Sequence, residues 1–167
     1  MKKGRDMQMD KLLKILKTNA RLSVEDLAAL AGLSPEETAA KIEGYEKSGV
    51  IKGYMAVTAE DFSDTDSVTA FIEVKVTPQA ENGFDQIAKT IMSFEEVDSV
   101  TLMAGSFDLA VTLSGTNYKE VALFVARRLS TLPGVLSTST HFVLKRYKES
   151  GFVIDGEVAD ERGLVSP

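Results

Sequence analysis

The second half of the chain alternates between strand-type and helix-type spacing of apolar residues, and this order constrains the fold more than any other feature. Residues 68–77 alternate apolar and polar side chains with a period of two, which predicts a strand with one buried face. Three further β-rich runs cover residues 97–104, 109–113 and 135–144. Two runs with helical spacing cover residues 84–91 and 117–132. The predicted order is βαββαβ.

That order is the split-βαβ or ferredoxin-like plan, in which two helices cover one face of a four-stranded antiparallel sheet. The other face then needs polar residues or a partner. We expect Phe71, Val111 and Phe142 to lie on this open face, buried against a second copy of the domain. The sequence therefore predicts a homodimer.

The first half predicts three helices. An apolar stripe at residues 12–16 marks the first, and Ser23 can cap a second that stops at Gly32. Ser34 and Glu37 form a capping box, with a proline between them at the first helical position, and the third helix should extend to about residue 49. Two capped helices joined by a short glycine turn are typical of a helix-turn-helix.

The fold class is therefore predicted as α+β, with an N-terminal three-helix helix-turn-helix domain and a C-terminal ferredoxin-like βαββαβ domain. Residues 50–57 are β-prone, and the polar, acidic residues 58–66 suit a linker. The predicted boundaries are residues 1–57 for the first domain, 58–66 for the linker, 67–148 for the second domain and 149–167 for a C-terminal tail. Residues 152–154 could add one strand to the tail.

Composition and charge exclude several classes of site. The 167 residues contain no Cys and one His, His141, which excludes disulfides, Cys-ligated metals and His-rich metal sites; His141 is expected to be structural or on the surface. Neither a signal peptide nor a membrane-spanning run is evident, so a cytoplasmic protein is predicted. Residues 1–54 hold 10 Lys/Arg and 8 Asp/Glu, whereas residues 55–167 hold 9 and 17. Any contact with nucleic acid is thus expected in the first half.

Short motifs follow one another in a characteristic order along residues 9–148. These are NARLS at 19–23, LA at 27–28, GLSP at 32–35, GVIKGY at 49–54, GSFD at 105–108, LPGV at 132–135 and TST at 138–140. In their order and spacing the chain resembles the Lrp/AsnC family of transcription regulators, named after the leucine-responsive regulatory protein and the asparagine-operon regulator. This resemblance implies a helix-turn-helix joined to a ferredoxin-like, RAM-type domain, and a dimer that can assemble to tetramers or octamers.

The resemblance also implies two sites. Double-stranded DNA would be contacted by Ser34, Glu36, Glu37, Ala40, Lys41 and Arg21. A small amino-acid effector would be bound by Gly105, Ser106, Phe107, Asp108, Thr138, Ser139 and Thr140. Neutral donors would hold the α-carboxylate and Asp108 the α-ammonium. A plain hairpin turn, with Asp108 in turn chemistry and Gly105 at positive φ, accounts for the loop equally well.

The third helix departs from the family pattern, which has several Arg or Lys on its outer face. Here the corresponding residues 36–44 contain Glu36, Glu37 and Glu43, and Lys41 is the single base among them. Since phosphate neutralisation supplies most non-specific affinity, weaker DNA binding with a flatter salt dependence is expected. Other bases of the first half could compensate, and a Glu can accept a hydrogen bond from cytosine N4. These bases are Lys2, Lys3, Arg5, Lys11, Lys14, Lys17, Arg21, Lys47 and Lys52. Glu37 and Ser34 are accounted for by capping, Lys41 can simply be solvated, and Arg21 can be a structural residue at a helix end.

Two alternatives to a transcription regulator remain. An amino-acid sensor or interaction module would keep the architecture but lose DNA binding, as the acidic third helix indicates. An enzyme is the other, because sirohaem decarboxylases resemble this two-domain plan and use Arg and His around their tetrapyrrole. Residues 94–106 contain neither Arg nor His, and no paired general acid and base is visible, so neither catalysis nor a cofactor is expected.

Overall fold

The computed structural model describes residues 10–59, 67–78 and 83–154. The chain divides into two compact units, between Ala56 and Val57. Most of the predicted linker, residues 60–66, lies outside the described residues. Each unit is described by itself below.

The first unit contains the three predicted helices, α1 (Lys11–Thr18), α2 (Val24–Ala31) and α3 (Pro35–Lys47). Each begins at a side chain that satisfies backbone N–H groups of its first turn: Asp10, Ser23 and Ser34. Gly32 ends α2 with φ of 77°, a conformation that favours glycine. The β-prone residues 50–57 form no strand.

The three helices bury a small core. Leu12 of α1, Leu27 and Ala28 of α2 and Thr38 of α3 are almost fully buried. Ala28 and Thr38 are buried, and α2 and α3 are in contact, as expected for the two helices of a helix-turn-helix. The remaining face of α3 is thereby left exposed.

The second unit has the predicted βαββαβ order and the ferredoxin-like fold. Its elements are β1 (Val68–Val76), α4 (Asp85–Met92), β2 (Val97–Leu102), β3 (Leu109–Gly115), α5 (Tyr118–Phe124) and β4 (Val135–Phe142). The antiparallel sheet has the strand order β2-β3-β1-β4. The two strands from the middle of the sheet, β1 and β3, supply most of the core.

The register of the sheet decides which side chains share a face. Ile72 pairs with Val111 and Val74 with Leu109, and all four are buried. They form a core with Ile91 of α4 and with α5 side chains, so the helices cover this face. Phe71 is on the opposite, open face, as predicted.

Two of the three residues expected on the open face lie on the covered face instead. Val111 pairs with Ile72, and Phe142 pairs with Ala70 and packs edge-on against Tyr118 of α5, with ring centroids 4.8 Å apart. The prediction was wrong because a continuous apolar run does not reveal the parity of its pairing; only the register does.

The chain departs from the predicted elements at two further places. After α5, residues Val125–Leu129 form a π-helical turn, in which the Ser130 N–H donates to the carbonyl of Val125. Near the C-terminus, β5 (Lys148–Glu149) and β6 (Phe152–Val153) form a short hairpin, where a single strand was expected.

Candidate functional site

The start of α3 is a complete capping box. The Glu37 N–H donates to Ser34 Oγ at 3.1 Å, and the Ser34 N–H donates to Glu37 Oε2 at 3.0 Å. These reciprocal bonds satisfy two backbone donors of the helix terminus. The capping interpretation of Ser34 and Glu37 is thus realised, and the Glu37 carboxylate is engaged at its own helix terminus.

Lys41 is bound to a residue that sequence reasoning did not single out. Its Nζ lies 2.9 Å from Asp10 Oδ2, and the Tyr45 hydroxyl donates to the same oxygen at 2.7 Å. Asp10 also caps α1 by accepting from the Leu12 N–H. The hydrogen bonds from Lys41 and Tyr45 lower the pKa of Asp10 to about 2. This cluster ties the start of α1 to the middle of α3.

The exposed face of α3 has a different composition from that expected. The residues opposite buried Thr38 are Glu36, Ala40, Glu43, Gly44 and Lys47. Lys47 forms an ion pair with Glu43 one turn earlier. The expectation that Lys41 is the cation of this outer face is corrected, because Lys41 lies on the flank towards Asp10 and Lys47 occupies the outer face.

Arg21 lies in the turn between α1 and α2. Its backbone N–H donates to Asn19 Oδ1 at 3.0 Å, and its side chain is exposed. The local bond stabilises the turn through the backbone and leaves the guanidinium accessible.

The loop between β2 and β3 is held to β1 through Asp108. Asp108 Oδ2 accepts from the Val76 N–H at 2.9 Å, and the Asp108 N–H donates to the Val74 carbonyl. The pairing of β1 with β4 shifts register between Lys75 and Val76, and Asp108 satisfies an amide at this irregularity. The Asp108 carboxylate therefore has a structural partner in the position where an effector ammonium was predicted.

Gly105 has no evident local reason to be glycine. It does not adopt the expected positive φ, and a Cβ built on it would meet no heavy atom within 4 Å. Gly105 and Ser106 are exposed, whereas Phe107 and Asp108 are partly buried. The expectation of a positive-φ turn glycine was wrong, and the loop presents an open backbone instead.

The predicted effector residues of β4 are divided between the two sides of the sheet. Thr138 pairs with Val74 and Thr140 with Ile72, which puts both on the covered side, and Thr138 Oγ1 lies 3.0 Å from Ser130 Oγ. Ser139 pairs with Glu73 on the open side. Because β1 lies between β4 and Asp108, about 10 Å of sheet separates them. The structure does not bring the seven predicted residues together in one protomer.

The open face carries a polar and aromatic cluster of five side chains. They are Phe71, Glu73, Phe107, Ser139 and His141. The Phe71 ring lies 6.1 Å from both the Phe107 and the His141 rings, measured between centroids. His141 Nε2 lies 3.5 Å from Glu73 Oε1 and 3.3 Å from Ser139 Oγ. His141 is exposed, as expected for a surface residue.

Two negative findings limit the chemistry. Within residues 10–59, 67–78 and 83–154, no group of three His, Cys, Asp or Glu side chains is arranged to hold a metal ion. No helix in the same ranges has the length and apolar character needed to cross a membrane.

Comparison with known proteins agrees with these features. The sequence profile of the Lrp/AsnC ligand binding domain matches residues 69–153. The HTH-type transcriptional regulator YugG of Bacillus subtilis (strain 168) is 44% identical over 159 residues, covering 93% of this chain and 95% of YugG. The chain belongs to the Lrp/AsnC family.

Two further proteins are similar to this chain over most of its length. The leucine-responsive regulatory protein of Haemophilus influenzae is 28% identical, covering 92% of this chain and 95% of its own. The crystal structure of the Neisseria meningitidis transcriptional regulator NMB0573 in complex with L-Met matches with a TM-score of 0.64 and 26% identity, covering 83% and 89% of the two chains. This Lrp/AsnC protein is a transcription regulator and not an enzyme, as predicted.

Proposed function

We propose that the protein binds specific DNA sequences through α3 and regulates transcription in response to a small amino acid. The observation that carries the DNA-binding part is the geometry of α2 and α3. Gly32 closes α2, a capping box opens α3, and the face of α3 opposite Thr38 is exposed along its length. In a helix-turn-helix, this arrangement places the second helix of the motif, here α3, in the major groove of DNA.

The proposed DNA contacts are Ser34, Glu36, Glu37, Ala40, Lys41 and Arg21. Ala40 lies at the centre of the outer face, where a small side chain lets the helix backbone approach base edges. A phosphate would compete with the Asp10 carboxylate for Lys41, or share Lys41 with it. Glu37 reaches a base only by leaving the Ser34 N–H. Ala40 is therefore the contact that the geometry favours most, since Ser34 and Glu36 are also hydrogen-bonded at the start of α3.

The test of DNA binding places a bulky anion at the centre of α3. Ala40→Glu should abolish selection of specific fragments from random DNA, because the added carboxylate meets the groove of a polyanion. Ala122→Glu, at an exposed position on α5, is the matched control and should select the same fragments as the parent protein. Equal selection by Ala40→Glu and the parent protein contradicts the proposal for α3.

For the effector we propose the loop of Gly105, Ser106, Phe107 and Asp108 as the main contact. The open space at Gly105, where a Cβ would meet no heavy atom within 4 Å, supports this because a ligand can approach the backbone there. The L-Met complex of the Neisseria regulator is a further reason to propose an amino acid. Thr138, Ser139 and Thr140 can join such a site only with residues from another protomer, since β1 separates them from the loop.

Calorimetric titration with individual amino acids tests the effector. Binding that weakens at least tenfold in Gly105→Val, while Gly53→Val binds normally, supports the loop. Gly53 is a suitable control because it lies in the first unit and a Cβ there also meets open space. Unchanged binding by Gly105→Val refutes the loop as the site.

The open sheet face supports a dimer with a second copy of this chain. In the described part of the second unit, the helices pack on the opposite face from the partly buried Phe71 and Phe107, and burial of such aromatic rings is favourable. Further assembly to tetramers or octamers is proposed from the family resemblance alone. Sedimentation equilibrium measures the assembly state directly.

A cytoplasmic location follows from the proposed contact with chromosomal DNA.

A second candidate is an effector-binding module that no longer reads DNA. The acidic outer face of α3 favours it, since Lys47 is paired with Glu43 and Lys41 with Asp10. This candidate predicts amino-acid binding in calorimetry but no enriched fragment after selection from random DNA. Enrichment of a defined sequence contradicts it.

A further inference from the structure

Both cations of α3 already have an acidic partner within the protein. Lys41 is bound to Asp10 and Lys47 to Glu43, while Glu36 remains on the outer face. A DNA duplex carries one phosphate charge for about every 1.7 Å of its length, so binding needs cations that are available. If α3 enters the groove, further neutralising charges are needed from another element.

Helix α1 carries such charges. Its sequence, KLLKILKT, contains three lysines and no acidic residue. Leu12 is completely buried, whereas Lys11, Lys14 and Lys17 are exposed. Spaced by three residues, they form a stripe about 9 Å long. Among the described residues, none of the three has a carboxylate within ion-pair distance.

The Asp10 cluster sets where this lysine stripe starts. Asp10 immediately precedes Lys11 and holds both Lys41 and Tyr45, which lie on the flank and inner side of α3. The stripe therefore begins beside the middle of α3. The contacts of Asp10 with Lys41 and Tyr45 place the first residue of the stripe, Lys11, next to a residue that is bound to α3. The major groove is about 12 Å wide, so a lysine side chain that starts beside a helix in the groove can reach the phosphates that border it.

We propose that the lysine stripe, Lys11, Lys14 and Lys17, is a phosphate-contacting surface that supplies the sequence-independent part of DNA affinity. This inference rests on the proposed DNA binding by α3. The two helices then have different roles: α3 contacts base edges, and α1 neutralises the phosphate charges of the DNA backbone. The ligand is the sugar–phosphate backbone of duplex DNA.

The test is the salt dependence of DNA binding by the full-length chain. In the triple variant Lys11→Gln, Lys14→Gln, Lys17→Gln, three cations are lost while helix propensity is retained. Each lost phosphate contact lowers the slope of log affinity against log salt by about 0.9, so the slope should fall by about 2.7 per bound protomer. The loss should be equal for a specific and a scrambled duplex.

The matched control removes the same charge elsewhere. Lys89→Gln, Lys119→Gln, Lys148→Gln changes three exposed lysines of the second unit and should keep the parental slope. The single variant Lys14→Gln, which should lower the slope by about 0.9, provides a milder test, and circular dichroism verifies folding of each variant. If the parent protein binds DNA and the α1 variants keep its slope, the lysine stripe is refuted while DNA binding stands. If the parent protein binds no duplex, both proposals fail together.

Discussion

The Asp10 cluster should stabilise the first unit by a predictable amount. Asp10→Asn removes the charge that Lys41 binds but keeps an oxygen that can cap α1, since Asn is as good an N-cap as Asp. The pKa of Asp10 falls from 3.8 to about 2 on folding, and one pKa unit corresponds to about 1.4 kcal/mol. The upper limit is therefore about 2.5 kcal/mol. Because the Asp10 side chain is 31% exposed, solvent screening reduces the expected loss to about 1 kcal/mol.

This stabilisation has a defined pH dependence. The pKa of Asp10 is lower in the folded than in the unfolded state, so the contribution is complete well above pH 4 and is lost as pH falls towards 2. At pH 7, amide hydrogen exchange in α1 and α3 should be about fivefold faster in Asp10→Asn than in the parent protein. The difference between the two proteins in the free energy of unfolding should narrow below pH 4, as urea denaturation followed by circular dichroism would measure.

A double-mutant cycle separates the ion pair from other effects of the substitutions. Lys41→Met keeps an apolar stem without charge, and in that background Asp10→Asn should cost much less than in the parent protein. Fully additive losses, or an Asp10→Asn variant as stable as the parent protein at pH 7, refute the reasoning. A Lys41→Met variant that is stable but has lost DNA affinity would show instead that Lys41 serves DNA.

Other substitutions probe the remaining features. Ser34→Ala removes the N-cap of α3 and should lower the free energy of unfolding by about 1 kcal/mol in urea titrations, whereas the exposed Ser48→Ala should cost less. Gly105→Ala should leave that free energy unchanged or raise it by up to about 1 kcal/mol, because φ is not positive and no atom lies near the added Cβ; a marked loss would contradict the open-loop geometry. Phe71→Ala should weaken dimerisation about tenfold in sedimentation equilibrium without unfolding the monomer. An unchanged dimerisation constant would exclude the open face as the dimer interface.

Elements governed by neighbouring residues were predictable from the sequence. The helix starts at Ser23 and Ser34 follow from capping, which needs contacts only three residues apart. The buried face of β1 follows from strict alternation. The βαββαβ order follows from the same local periods and was confirmed.

Features that depend on tertiary contacts were not predictable. The location of Val111 and Phe142 on the covered face of the sheet can be derived only from the register of two strand pairs. The partner of Lys41 is 31 residues away, although an Asp directly before the stripe of α1 could have been identified as its N-cap. Asp108 binds an amide at an irregularity in β1 that no local pattern shows. The π-helical turn after α5 also leaves no clear signal in the apolar spacing.

DNA binding by this protein should be coupled to the binding of an amino acid. A fluorescence-anisotropy titration of the protein against DNA from upstream of its own gene, with and without a mixture of amino acids, tests it most directly. We predict saturable binding tighter than to a scrambled duplex, and a change in affinity of about 5- to 150-fold with amino acids, the usual range of allosteric coupling. Equal affinity for both duplexes, unaltered by amino acids, together with no sequence enriched from random DNA, would contradict the claim.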